Sequence, residues 1–93
     1  MLEKLRCSKN YVLKKLEDGK EIKHYALNIQ DGDCYELNDT AYDILLMIQE
    51  SLPMDAIFDK LQKSRKDLTR EIFNNDHEEL VKMCIEHGIL LHE

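Results

Sequence analysis

The chain lacks the short motifs that mark common catalytic and cofactor sites. It has no glycine-rich phosphate loop, no HExxH helix and no CxxC pair. Cys34 has no basic neighbour in the sequence that would make it a reactive thiolate. His77, Cys84 and His87 could approach one side of a helix, but core and helix-end positions explain them more simply than a zinc site does. These absences argue against an enzyme, and we expect neither a cofactor nor a metal.

Long apolar stretches and a signal sequence are absent as well. No run approaches the ~20 apolar residues that span a bilayer. The first ten residues, MLEKLRCSKN, contain neither an apolar core nor a cleavage site. The three cysteines cannot all pair with one another, and a reducing compartment would keep them as thiols. We therefore expect a cytoplasmic protein with no membrane partner.

The sequence is acidic, with a net charge of -6 and a pI near 5.2. Proteins that bind phosphate backbones gain affinity from Lys and Arg, so this balance argues against a nucleic-acid partner. The 93 residues are enough for one compact domain. We assign it to residues 11–93 and leave residues 1–10 as an N-terminal segment that is either a tail or an added strand.

Two Asp-Gly pairs divide the first third of the chain into three predicted strands, at residues 11–17, 21–29 and 33–37. Asp-Gly between extended segments is typical of a two-residue type I′ hairpin turn, because both central residues need a positive φ. The strands would form an antiparallel meander whose third strand lies at the sheet edge. Proteins normally protect such an edge, since any extended chain can pair with it. This one carries neither proline nor lysine.

Three helices are predicted to follow the strands. Asn38 or Asp39 can cap the first helix, residues 39–49. Pro53 suits the start of the second helix, since a first turn does not use the missing N–H. Thr69 is a plausible cap for a third helix that runs to about residue 87, and Gly88 is the expected left-handed terminator. The order βββααα predicts an α+β domain.

The segments CYELNDTAYDIL and DHEELVKMCIEHGIL resemble the PqqD-like family, the peptide-recognition elements of ribosomal peptide natural-product pathways. The resemblance extends from Tyr11 onward. It departs from the family pattern at His77, where an aliphatic residue is frequent, and at Cys84, which is often Leu. The matching positions are Tyr35, Leu37, Asn38, Ala41, Ile44 and Leu45 in the first segment and Asp76, Leu80, Val81, Cys84, Gly88 and Ile89 in the second.

The resemblance implies a winged helix-turn-helix-like fold that carries no chemistry of its own. Such a domain binds the leader segment of a precursor peptide as an added strand on the third strand, in the cleft with the third helix. A maturation enzyme (a radical S-adenosylmethionine enzyme, a protease or a cyclase) then modifies the same peptide. Asn75, Asp76 and Glu79 could select basic or polar leader residues. The candidate peptide-binding residues are Asp33, Cys34, Tyr35, Glu36, Leu37, Ile72, Asn75, Asp76, Glu79, Leu80 and Met83.

The main alternative is a winged-helix regulator that binds nucleic acid, because the fold class is shared. The charge of the third helix argues against it. Residues 69–87 contain Arg70 and Lys82 as the basic residues, and phosphates would be repelled by the acidic majority. That majority is Glu71, Asp76, Glu78, Glu79 and Glu86.

Overall fold

The computed structural model describes residues 5–92 and confirms the α+β class. A three-stranded antiparallel sheet is followed by three helices, as predicted. One further short strand precedes the sheet in the chain, and another follows the last helix. None of the helices within the described residues is long and apolar enough to cross a membrane. The elements are β1 Leu5–Cys7, β2 Tyr11–Asp18, β3 Glu21–Asn28, β4 Cys34–Leu37, α1 Asp39–Gln49, α2 Met54–Ser64, α3 Arg70–Glu86 and β5 Leu90–His92.

The sheet has the strand order β2-β3-β4, so β4 lies at its edge. β3 pairs with β4 over four positions, from His24 opposite Leu37 to Leu27 opposite Cys34. Residues that face each other across an antiparallel pair have their side chains on the same face of the sheet. The inner face of β3 therefore carries the buried His24 and Ala26, and the outer face is more exposed.

The first hairpin turn differs from the predicted type I′ turn. Asp18 pairs with Glu21, so the two loop residues are Gly19 and Lys20. Of these, Gly19 alone has a positive φ, of 64°. This pattern fits the type II′ turn, which needs glycine at its first central position only. Asp18 continues the strand ladder instead of entering the turn, and this is why the prediction was wrong.

The second connection is a longer loop, residues 29–33, and not a two-residue turn. The side chain of Asn28 organises it, because its Oδ1 accepts hydrogen bonds from the backbone N–H groups of Gln30, at 2.8 Å, and Asp31, at 3.3 Å. Gly32 adopts a positive φ of 80° inside the loop. An asparagine side chain that accepts a hydrogen bond from the backbone two residues ahead favours a turn at the asparagine. The chain therefore turns from Asn28 onward, and the predicted two-residue turn at Asp31-Gly32 does not form.

Residues 5–7, whose structure the sequence left open, form the added strand β1. It pairs with β5 from Leu5 opposite His92 to Cys7 opposite Leu90. Gly88 has the left-handed φ of 75° expected of a helix terminator. The chain reverses there, and the apolar tail after it returns to the core as β5.

The core lies between the inner face of the sheet and the three helices. Each helix contributes one apolar stripe, and Phe58 and Phe73 meet there with ring centroids 5.3 Å apart. The buried apolar side chains are Ala26, Leu37, Ile44, Leu45, Ile48, Ile57, Phe58, Leu61, Phe73, Leu80, Cys84, Ile89 and Leu90.

Replacing Thr69 by alanine is expected to lower the free energy of unfolding by about 1 kcal/mol. The Thr69 hydroxyl accepts a hydrogen bond of 3.2 Å from the backbone N–H of Ile72 and caps α3. Urea denaturation followed by circular dichroism measures the loss. Thr69→Ser keeps the hydroxyl and should stay near the parent. Equal losses in the two variants would show that the cap does not contribute through this bond.

Candidate functional site

A cleft of about 360 Å³ opens between α3 and the place where β4 passes into α1. β4 ends at Leu37 and α1 begins at Asp39, so one wall combines the end of a strand with the first turns of a helix. The other wall is a single stripe of α3. The lining residues are Glu36, Leu37, Asn38, Thr40, Ala41, Ile44, Asp76, Glu79, Leu80 and Met83.

The α3 wall is a helical stripe with an apolar base and an acidic border. Asp76, Glu79, Leu80 and Met83 are spaced at i, i+3, i+4 and i+7, which places them on one side of the helix. Leu80 is buried and Met83 is half-buried, whereas Asp76 and Glu79 are exposed. A ligand in the cleft would therefore contact apolar side chains near the core and carboxylates near the solvent.

The opposite wall is fixed by the helix cap that joins β4 to α1. The Asn38 side chain accepts a 2.7 Å hydrogen bond from the backbone N–H of Ala41. This bond starts α1 directly after the strand, with no linker. Leu37 and Ile44, 6% and 1% exposed, form the apolar base of this wall.

A buried histidine holds the first turn of α1 against the sheet. His24 Nε2 lies 2.8 Å from Asp39 Oδ1, and its ring stacks on Tyr42 with the centroids 4.4 Å apart. His24 is also the register partner of Leu37 on β4. The contact thus ties β3, β4 and α1 together behind the cleft. The Nδ1 atom of His24 is buried and has no hydrogen-bond partner among residues 5–92.

The free edge of β4 presents backbone groups beside the cleft. The backbone N–H of Asn28 bonds to the Asp33 carbonyl oxygen at 2.7 Å, which fixes the alternation of the β3–β4 ladder. In an antiparallel pair, alternate residues bond to the neighbour and the residues between them point away. Tyr35 therefore bonds to β3, whereas the N–H and C=O groups of Cys34 and Glu36 point to the open edge.

The structure brings six of the eleven sequence-predicted residues together in the cleft wall: Glu36, Leu37, Asp76, Glu79, Leu80 and Met83. The other five lie outside its lining. Cys34 is on the free edge, Asp33 is in the preceding loop, and Ile72 and Asn75 are exposed on α3. Tyr35 is half-buried on the inner face, with its ring 4.5 Å from that of His87 and 6.3 Å from that of Tyr11.

Four lining residues were not among the predicted ones: Asn38, Thr40, Ala41 and Ile44. Three of them carried a usable signal, because Asn38, Ala41 and Ile44 are among the positions that match the PqqD-like pattern. Thr40 carried none. Its hydroxyl accepts a hydrogen bond from the guanidinium of Arg65, a contact between α1 and the end of α2 that the sequence does not announce.

The cysteines inside the fold are packing groups. Burial, followed by the nearby Cys7, raises the pKa of Cys84 to about 12, and burial also raises the pKa of Cys7. Both thiols are therefore protonated near neutral pH. Within residues 5–92, no group of three or more His, Cys, Asp and Glu side chains is arranged to hold a metal ion.

The family model described as coenzyme PQQ synthesis protein D (PqqD) matches residues 23–90, which is more than half of the chain. The chain belongs to the PqqD family. The match includes β4, α1 and α3, the three elements that build the cleft, and it confirms the resemblance seen in the sequence. No curated protein is significantly similar to the chain.

A solved structure shares the fold. It is described as lasso peptide synthetase B1 complexed with the leader peptide, and it matches with a TM-score of 0.75 at 20% sequence identity. The match covers 95% of this chain and 98% of the other. The PqqD-family fold here thus corresponds to the whole of that protein chain and not to a fragment of it.

Proposed function

We propose that this PqqD-family protein is a non-catalytic adaptor that binds the leader segment of a ribosomally made precursor peptide. The leader adds to β4 as an antiparallel strand and places side chains in the cleft against α3. A maturation enzyme then acts on the bound precursor, in the cytoplasm. The observation that carries the proposal is the position of an open strand edge beside a cleft with an apolar base. The fold shared with a protein described in complex with a leader peptide supports it.

Backbone pairing alone is too weak for this function. Cys34 and Glu36 offer two donors and two acceptors, and about four hydrogen bonds at a net ~1 kcal/mol each give ~4 kcal/mol. Association costs ~4–15 kcal/mol in lost freedom of motion. Apolar anchors must make up the difference, at ~1.5–3 kcal/mol for each fully buried side chain. Leu37, Leu80 and Met83 form a surface on which such anchors can pack.

The leader peptide of a precursor encoded near this gene provides the direct test, with a scrambled peptide of the same composition as its control. Titration into labelled protein should shift the backbone amide NMR signals of Cys34 and Glu36 and of the α3 residues from Asp76 to Met83. These are the groups that a strand in the cleft would contact.

The same titration can contradict the proposal. Shifts confined to the basic stretch at residues 60–70 would indicate an electrostatic contact elsewhere and would favour the nucleic-acid alternative. Equal shifts with the scrambled peptide would show that the cleft does not recognise a leader sequence.

A further inference from the structure

Three acidic residues and no basic residue line the cleft. Glu36, Asp76 and Glu79 are the charged members of the lining, although the chain as a whole has 13 Lys and Arg residues to 19 Asp and Glu. Within residues 5–92, no hydrogen bond or ion pair engages any of the three side chains. The negative charge of the cleft is therefore not compensated by the fold itself.

Acidic side chains outside the cleft show that the fold can supply such compensation. Asp39 is paired with His24, and Asp55 is paired with Arg70. Asp76 and Glu79, in contrast, are neighbours on one side of α3 at i and i+3. Like charges at this spacing repel each other and destabilise a helix slightly. A cation placed between them would remove that repulsion.

The arrangement of carbon and charge fits one kind of side chain. Lys and Arg lay their aliphatic stems along apolar surface while the charged end stays in water. Leu80 and Met83 offer such a surface, and Asp76 and Glu79 border it on the solvent side. In a strand added to β4, side chains on one face point towards this wall, and those on the other face lie on the side of Glu36.

We propose that the cleft is specific for a basic leader segment, with a Lys or Arg seated on Leu80 and Met83 and its charge between Asp76 and Glu79. A second basic residue on the opposite face of the added strand meets Glu36. This inference rests on the proposed function, because the open edge and the cleft define the site and the carboxylates select what enters it. It names the chemistry of the leader, which the strand-addition mode leaves open.

Selection from a phage-displayed library of random peptides tests the inference and does not require a leader of established sequence. Three forms of the protein are used as bait: the parent, a cleft variant and a control variant. The cleft variant is Glu36→Gln/Asp76→Asn/Glu79→Gln. The control variant is Glu17→Gln/Asp59→Asn/Glu78→Gln, which changes the net charge equally at exposed positions outside the cleft lining.

Peptides selected on the parent and on the control should be enriched in Lys and Arg at positions next to apolar residues, and peptides selected on the cleft variant should lose that enrichment. A peptide from the parent selection should bind the cleft variant about tenfold more weakly at low ionic strength, as two or three exposed charge pairs would give. The difference should shrink at high ionic strength because salt screens exposed charges.

The possible failures are distinguishable. Selected peptides that shift the amide signals of the cleft but carry no excess of basic residues would overturn the charge specificity and leave the leader-binding proposal standing. Equal losses of affinity in the cleft and control variants would also overturn it, because net charge alone would then explain the effect. Selected peptides that bind outside the cleft would also overturn the charge specificity, whereas the leader titration decides the leader-binding proposal separately.

Discussion

Replacing Glu36 by proline is expected to weaken leader binding by about 2–4 kcal/mol, roughly 30- to 700-fold, while the protein stays folded. The Glu36 N–H points to the open edge of β4, so proline removes a donor that the added strand needs. It also leaves a guest carbonyl without a partner, which is costlier than the lost bond alone. Proline is tolerated on an edge strand where its position faces away from the neighbouring strand. Isothermal titration calorimetry with the leader peptide measures the effect.

Two controls separate the backbone effect from the other consequences of the substitution. Glu36→Ala removes the carboxylate but keeps the N–H, so its loss of affinity should be much smaller. Lys15→Pro places a proline on β2, the opposite edge of the sheet. Lys15 pairs with His24, whose backbone hydrogen bonds go to β4, so the backbone N–H of Lys15 points away from β3 as that of Glu36 does. Lys15→Pro should leave binding unchanged. Parent-like affinity in Glu36→Pro would exclude strand addition at this edge.

The position of β4 at the sheet edge could be predicted because alternation and turn residues are local signals. The alternating run between the two Asp-Gly pairs predicted an antiparallel meander, and the observed strand order β2-β3-β4 agrees with it. The turn types were not predictable from the pairs themselves. Whether Asp18 belongs to the strand or to the turn depends on its pairing with Glu21. The second loop depends on the side chain of Asn28, which the dipeptide rule does not consider.

The ribbon of β1 and β5 was not predicted, and the sequence left residues 1–10 open as a tail or an added strand, for a different reason. Each strand has three residues, too few for an alternation of apolar and polar side chains to stand out. Their pairing joins Leu5 to His92, almost the whole chain apart.

The two walls of the cleft differ in how far the sequence reveals them. The α3 wall follows from helical periodicity, so Asp76, Glu79, Leu80 and Met83 could be placed on one side of the helix from their spacing alone. The α1 wall depends on how tightly the helix follows the strand. Asn38 fixes that geometry through its cap on Ala41, and His24 fixes it from behind through Asp39. The second contact is a tertiary one, and no local pattern announces it.

Replacing Ala41 by phenylalanine is expected to weaken leader binding by about 1.5–3 kcal/mol, roughly 10- to 150-fold, by occupying the cleft. Ala41 is half-buried in the first turn of α1, packs against the core and lines the cleft, so a larger side chain there takes the space of a guest anchor. The new ring buries apolar surface within the protein and offsets the lower helix propensity of phenylalanine. Binding and stability should therefore separate: affinity falls, and the urea midpoint holds or rises.

Ala56→Phe is the matched control for this substitution. Ala56 is a half-buried alanine on α2 that does not line the cleft, and the change in helix propensity is the same at both positions. The control should bind the leader as the parent does. Unchanged affinity in Ala41→Phe would show that the guest does not enter the cleft between α1 and α3. In that case the free edge of β4 would have to hold the leader by backbone pairing, which the ~4 kcal/mol from four hydrogen bonds does not allow.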